Sequence, residues 1–397
     1  MIRAFRYRIY PTKEQEVLLV KHFGCVRFIY NWGLEQKVKV YTETRKSISK
    51  YDLCRIVTGM RKSKNTEWLS EVNAQSLQQS LNHLDMAFTR FFKEKKGFPK
   101  FKSKHDNRQS FSIPQDTKVN FDNSRVYIPK FKEGIKCRFS RKFDGKIKTS
   151  TVSKTPTGKY FISILVETND SIPSKAPINE SKAVGVDLGI KTFATLSDGT
   201  EIQNPKNIKK SLKRLKRLQR SVSRKKKGSN SRKRAVKLLA RQYEKVTNRR
   251  KDFLHKTSRW LIDHYDTICL ETLSASNMLK NHRLAQALSD ISIGTFNSYM
   301  DYKAEWYGKN IIRIGRFEPS SKMCSCGYIY KGLTLKDRVW ICPCCGSVNH
   351  RDLLAAQNIK KFAFKQNNTA RTAEIYAVES MNPARGAATE TCTTSCG

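Results

Sequence analysis

The stretch AVGVDLGIKTFATLSDGTEI, residues 183–202, constrains this chain more than any other feature. Two apolar runs rich in β-branched and aromatic residues flank a glycine-containing turn, and Asp198-Gly199 supplies what a tight hairpin turn needs. The pattern predicts buried strands side by side. Asp187 stands inside the first of them. A carboxylate buried without a partner is costly, so it must meet a cation, a metal ion or hydrogen-bond donors. Gly185 and Gly189 leave room beside it for a close ligand or a close backbone. Taken alone, Asp187 reads equally as a cap on a strand-to-turn transition.

Two further acids share this character. Glu271 ends the apolar run TICLE, and Asp352 opens the helical pattern DLLAAQNI. Alone, Glu271 reads as a strand-end side chain in solvent. Asp352 alone reads as a helix cap, favoured there by the dipole. Together, two strand acids and one helix-start acid match the needs of two-metal phosphoryl chemistry, in which three carboxylates hold two divalent ions ~3.5–4 Å apart. Mg²⁺ suits such hard oxygen ligands.

Charge points to the substrate class. There are 77 Lys and Arg against 34 Asp and Glu, a net +43. Such a chain repels itself when compact, and a nucleic acid is the polyanion that relieves the repulsion. Between Lys209 and Lys251 stand 20 Lys and Arg and a single acid, Glu244. Like charges repel at helix spacing, so this run is too lopsided for a merely solvated face. The residues expected to meet a nucleic-acid backbone are Lys209, Lys210, Lys213, Arg214, Lys216, Arg217 and Arg220. The expectation extends to Arg224, Lys225, Lys226, Lys227, Arg232, Lys233 and Arg234. No apolar run approaches the ~20 residues of a membrane span, and MIRAFRYRIYP lacks the apolar core of a signal peptide. The expectation is a soluble cytosolic protein.

Of eleven cysteines, five crowd residues 324–345. Cys342 and Cys345 make a Cys-x-x-Cys knuckle. The facing pair, Cys324-Ser-Cys326, is one residue shorter than usual. One structural Zn²⁺ on Cys324, Cys326, Cys342 and Cys345 is expected, with Cys344 a spare or substitute ligand; a metal-free ribbon stays open. Cys25, Cys54, Cys137 and Cys269 lie among apolar neighbours and read as small buried hydrophobes.

Elsewhere, residues 2–10 alternate as a strand, and Thr12 with Gln15 forms a capping box opening a helix over 13–43. A second helix is expected over 74–95. Short strands over 109–170 suggest a small barrel or open sheet that the first strand joins. Helices over 207–262 with a turn at Gly228, a helix near 289–308, a strand near 310–315 and a helix over 352–364 complete the reading.

The motifs VGVDLGIKTFATLSDG, ICLETLSASNMLKNHRLAQALSD with YKAEWYGKNI, and PSSKMCSCGYIYKGLTLKDRVWICPCCGSVNHRDLLAAQNI resemble those of the TnpB family. These are transposon-encoded RNA-guided nucleases related to type V CRISPR effectors. FRYRIYPTKEQ and FPKFKSKHDNRQSF extend the resemblance over residues 1–364. It implies α/β plus β-barrel architecture: an RNase H-like (RuvC) nuclease domain with a zinc-ribbon insert, a wedge-type β-barrel and a helical recognition insert. The implied boundaries are 1–12 with 108–170 for the barrel, 13–107 for the insert and 171–182 for a linker. The nuclease domain spans 183–318 and 349–364 around a ribbon at 319–348, and a flexible tail covers 365–397. The resemblance further implies Asp187, Glu271 and Asp352 as the catalytic acids; in holding two Mg²⁺, Asp187 is expected to bridge both ions, with Glu271 and Asp352 completing one each. The implied partners are a guide RNA from the transposon end and double-stranded target DNA with a short flanking motif. His350 and Leu354 depart from the Asp and Asn of the family pattern. A nuclease-weak or nuclease-dead RNA-guided binder and an accessory transposase remain the alternatives.

Overall fold

The computed structural model describes residues 1–106, 109–273, 275–334 and 337–381. The chain divides into two compact units. One holds Met1–Ser171 with Lys225–Arg241, the other Ile172–Arg224 and the chain from Gln242 on.

The first unit contains β1 (Ile2–Tyr10), α1 (Lys13–Thr44), α2 (Lys50–Met60), α3 (Ala74–Glu94), β2 (Gln109–Ile113), β3 (Lys118–Asn120), β4 (Arg125–Tyr127), β5 (Ile135–Arg138), β6 (Lys146–Lys154) and β7 (Tyr160–Glu167). Alternation along β1 buries Phe5, Tyr7 and Ile9. Thr12 and Gln15 exchange the two hydrogen bonds of a capping box, which starts α1 where the sequence indicated. The strands form one antiparallel sheet in the order β2-β6-β7-β1-β5-β4-β3. Of the small barrel or open sheet expected here, the described strands form the open sheet, with β2 and β3 as its two edges, and the wedge-type barrel that the resemblance implies is not closed among them. The reason lies in strand length: β3 and β4 have three residues and β5 four, too few to carry the tilt and stagger by which a sheet closes. The helices between β1 and β2 share the sheet's core rather than having their own. His22 and Phe23 of α1 pack on Phe111 of β2 at ring separations of 4.8 and 5.4 Å.

The second unit contains β8 (Ala183–Leu188), β9 (Thr192–Leu196), β10 (Glu201–Gln203), α4 (Asn207–Ser223), α5 (Asn230–His264, its start belonging to the first unit), β11 (Thr267–Glu271), α6 (Ala275–Met278), α7 (His282–Ile291), α8 (Ile293–Trp306), β12 (Asn310–Ile314), β13 (Val339–Ile341), β14 (Val348–His350) and α9 (Arg351–Met381). Its main sheet has the order β10-β9-β8-β11-β12. The first three strands are antiparallel neighbours, whereas β8, β11 and β12 run parallel. Asp198-Gly199 closes the β9–β10 hairpin, with Gly199 at φ +91°.

Two expectations change here. The stretch read as a linker is tied to this unit. Asn310 Nδ2 donates to the Ala176 carbonyl at 2.8 Å, and the Ala176 amide to the Gly308 carbonyl at 2.7 Å. The tail read as flexible from 365 is helical to Met381, because α9 continues; residues 382–397 lie outside the described residues. Among the described residues no helix is long and apolar enough to cross a membrane.

Candidate active site and cysteine centre

Strand order brings two of the acids together. β8 and β11 are parallel neighbours, with Val186 opposite Leu270. One residue further on each strand stand Asp187 and Glu271. The chain leaves β8 toward β9 on one side and reaches β12 from β11 on the other. The carboxyl ends of this pair are thus the point where strand order reverses, the usual crevice for ligands in open α/β sheets.

Pleating sets which way the acids face. On one face of the sheet, Val184, Val186, Ile268 and Leu270 join the core with Leu254, Leu261, Phe296 and Met300. The alternate positions belong to the other face, which α9 covers. There Cys269 and Ile314 pack on Ile359 and Ala363. Gly185 lies so close to α9 that a built Cβ would stand 2.0 Å from the Ala356 carbonyl. The room anticipated beside Asp187 is therefore filled by helix backbone. Asp187 lies two residues beyond Gly185, about 6.6 Å along the strand. Asp352 lies one turn, about 5.4 Å, before Ala356. The same contact therefore aims the third acid at the first two.

All three acids line one cavity of about 1000 Å³, together with Lys206, Lys209, Ser320, Arg338 and Arg351. Burial, aided by the charges of Glu271 and Asp352 and opposed by Arg351 and Arg338, raises the Asp187 carboxyl from 3.8 to about 7. Ser320 Oγ donates to Glu271 Oε1, while Arg338 Nη1 donates to both oxygens of Asp352 at 2.9 and 3.1 Å. The acids face one cavity without closing to mutual ligand distance. Among the described residues only the cysteine set has all its ligand atoms within 4.8 Å of one another. Repulsion between carboxylates and the pull of Arg338 on Asp352 account for that spacing. A hard-oxygen set with a carboxyl forced toward neutrality suits a divalent cation.

Sequence reasoning missed Arg338 and Ser320. Arg338 immediately precedes β13, whose hairpin with β14 pairs Val339 with His350, and its carbonyl accepts from the Arg351 amide at 2.8 Å. Folding CPCCG as the turn of a hairpin would have set Arg338 beside the start of α9. Asn358 of α9 ties down the segment before it, donating to the Ser320 and Met323 carbonyls at 2.7 and 2.6 Å.

Cys324, Cys326, Cys342 and Cys345 converge, while Cys344 stays outside the set. The Sγ separations Cys324–Cys345 and Cys326–Cys342 are both 3.7 Å. A tetrahedron of ~2.3 Å Zn–S bonds has edges of about 3.8 Å, so the short first knuckle reaches the geometry. Ser347 Oγ lies 3.2 Å from both Cys324 and Cys345. Its hydroxyl, joined by the Cys326 amide, Ser325 and Asn349, brings the Cys324 thiol down to about 5, and it lowers Cys345 as well. Leu354 is buried with Cys324, Leu333, Trp340 and Cys342, and His350 is exposed at the end of β14. The Leu departure thus serves packing beneath the cysteines. Of the other cysteines, Cys25, Cys137 and Cys269 are buried and Cys54 half-buried.

The expected basic residues fall on α4, the connection after it and the start of α5. On α4, Lys209, Lys210, Lys213, Arg214, Lys216, Arg217 and Arg220 are exposed, and no carboxylate among the described residues pairs with them. Lys209 alone of the expected basic set also lines the acid cavity.

Comparison with known proteins agrees with this arrangement. Residues 163–282 match the OrfB family of IS605-type elements, described as a probable transposase, and residues 294–359 match a Cas12f1-like TNB domain. A helix-turn-helix domain model of the same element family matches residues 1–46, although here they form a strand and one long helix. A Streptomyces pristinaespiralis protein described as a candidate RNA-guided DNA endonuclease is 39% identical over 90% of this chain and 88% of its own length. An Escherichia coli K12 protein of the same description is 30% identical over 90% and 91%. The solved Cas12f1–sgRNA–target DNA complex shares the fold, with a TM-score of 0.54 at 12% identity over 91% of this chain and 98% of that one.

Proposed function

This chain belongs to the TnpB (OrfB) family, and from that premise we propose that it is an RNA-guided DNA endonuclease whose cutting groups are Asp187, Glu271 and Asp352. The observation that carries the reading is the convergence of two acids at a strand-order reversal with a third at a helix start, in one cavity rimmed by cations. We read the five-stranded unit as RuvC-like.

Asp187, Glu271 and Asp352 would hold two Mg²⁺, which supply an activated water and stabilisation of the leaving 3′ oxygen in phosphodiester hydrolysis. The chain's own groups do the rest. Ser320 orients Glu271 through its hydrogen bond. Arg338 and Arg351 meet the charge of the incoming phosphate, and Arg338, which holds Asp352 here, would have to release it for that carboxylate to hold a cation. Lys206, Lys209 and the α4 cations track the backbone outside, by contacts that are salt-sensitive and blind to sequence. Sequence is then read by pairing between guide and target, beside a short flanking motif on the DNA. One Zn²⁺ on Cys324, Cys326, Cys342 and Cys345 would be structural, since four thiolates leave no open position. It would brace the segment that delivers Ser320 and Arg338.

The test is guided cleavage by the chain purified with RNA from its own downstream DNA. Cutting in Mg²⁺, none in EDTA, and loss in Asp187→Ala with RNA binding retained are expected. Undiminished cutting by Asp187→Ala would remove the assignment.

A further inference from the structure

The end of α3 and the loop after it carry five phenylalanines that the core only half explains. Phe88, Phe91, Phe92 and Phe98 touch in series, with ring centroids 4.9–6.4 Å apart. Phe88 is half-buried and packs on Tyr30, Leu34 and Leu84, so packing accounts for the inner end of the cluster. The outer end has no such account: Phe92 is 72% exposed, Phe98 49% and Phe101 63%. A phenyl ring left in water forfeits the gain of burial, and several together mark an interaction surface. The fold presents them deliberately, because the loop is pinned. Pro99, between Phe98 and Phe101, is buried. Asn31 of α1 holds the Lys102 backbone with both amide atoms, Nδ2 donating to the carbonyl at 2.9 Å and Oδ1 accepting from the amide at 2.8 Å. Lys102 Nζ in turn lies 3.7 Å from the centre of the Tyr30 ring.

Charge narrows what can cover these rings. From Arg90 to Lys104 seven Lys and Arg stand against one acid, Glu94. Rings among cations suit an unpaired nucleic-acid strand, whose bases stack on aromatic faces while its phosphates meet the charges. A duplex keeps its base faces to itself except at its ends. An anionic lipid surface is the rival, but α3 turns its aliphatic face, Leu77, Leu81 and Leu84, inward, which leaves little for a bilayer to hold. Between the two nucleic acids, target DNA arrives paired, whereas a guide RNA must be unpaired to read it. Resting on the RNA-guided reading above, we propose that Phe92, Phe98 and Phe101 form a stacking platform for unpaired bases of the guide RNA. The neighbouring lysines hold its backbone by a contact that salt weakens; the rings hold its bases by one that salt does not screen.

The test follows release of labelled guide RNA from the full complex, chased with unlabelled RNA across a salt series. Two probes are compared: the co-purified RNA, and the same RNA annealed along its length to complementary DNA. Phe92→Ser/Phe101→Ser removes the two most exposed rings. It is expected to release the unpaired probe roughly a hundredfold faster than the wild type, with the slope of log rate against log salt unchanged, and the annealed probe at the wild-type rate. Phe92→Trp/Phe101→Trp, which keeps the stacking faces, should hold the unpaired probe at least as long as the wild type. Equal release by the wild type and the serine variant would overturn the proposal. So would equally hastened release of both probes, or a tryptophan variant as weak as the serine one. Equal release joined to flotation of the wild type, but not the serine variant, on phosphatidylglycerol vesicles would overturn it in favour of a lipid surface. A wild type that keeps no RNA at all removes the RNA-guided reading and the platform with it, a result distinct from equal release.

Discussion

Burial and two neighbouring acids hold the Asp187 carboxyl protonated up to about pH 7 in the fold, against 3.8 for the free group. The native chain therefore keeps a proton that the unfolded chain has released. This contribution to stability is present in full below about pH 4 and is lost as pH rises through about 7. Asp187→Asn, which mimics the neutral carboxyl, is expected to melt at the same temperature as the wild type near pH 4 in EDTA. It should melt at a progressively higher temperature than the wild type toward pH 8, with the difference shrinking when Mg²⁺ is added. Melting curves across that range check it, and a difference independent of pH would contradict the electrostatic account. At this scale the sequence was informative where one side chain contradicted its surroundings. Asp187 and Glu271 are acids in apolar strands, which is visible without a structure. Arg338 was invisible, because an arginine in a polar stretch contradicts nothing; its meaning depends on a hairpin that sets it beside the start of α9.

The geometry of the acids rests on one contact between elements. β8 approaches α9 so closely at Gly185 that a methyl group there would press on the Ala356 carbonyl, a backbone atom that cannot swing aside. Gly185→Ala must push α9 away and carry Asp352 with it. Since misplacing reacting groups by 1 Å can cost ~10²-fold in rate, cleavage should fall by about two orders of magnitude. Wild-type cutting by Gly185→Ala would show that this contact does not position the site. The sequence indicated that something must come close to this glycine, but not that it is α9, because strand–helix packing is a long-range fact. The same limit explains the barrel. Alternation identified most strands over 109–170, yet the three-residue β3 was missed and strand lengths decided that the sheet stays open. Helix α2 was also missed, its buried Leu53 and Val57 being too sparse a stripe to read.

Across the whole molecule, net charge of +43 sets how it holds its partners. If the exposed α4 cations meet nucleic-acid backbone, each neutralised phosphate contributes ~0.7–0.9 to the slope of log affinity against log salt. Replacing Lys213, Arg217 and Arg220 with Ala should therefore lower the slope for guide-RNA binding by about 2–3 while leaving the melting temperature close to that of the wild type, since all three are exposed. An unchanged slope would return those cations to the status of a solvated face. Composition announced the polyanion, but only the fold puts Lys209 at the junction between the basic helix and the acid cavity. Whether three acids distant in the chain grip divalent cations is read most directly by anomalous diffraction from crystals grown with Mn²⁺. Two peaks roughly 4 Å apart are expected within bonding distance of Asp187, Glu271 and Asp352, with Arg338 turned away from Asp352. Crystals that show Mn²⁺ elsewhere or not at all, with the Arg338–Asp352 pair intact, would contradict that expectation.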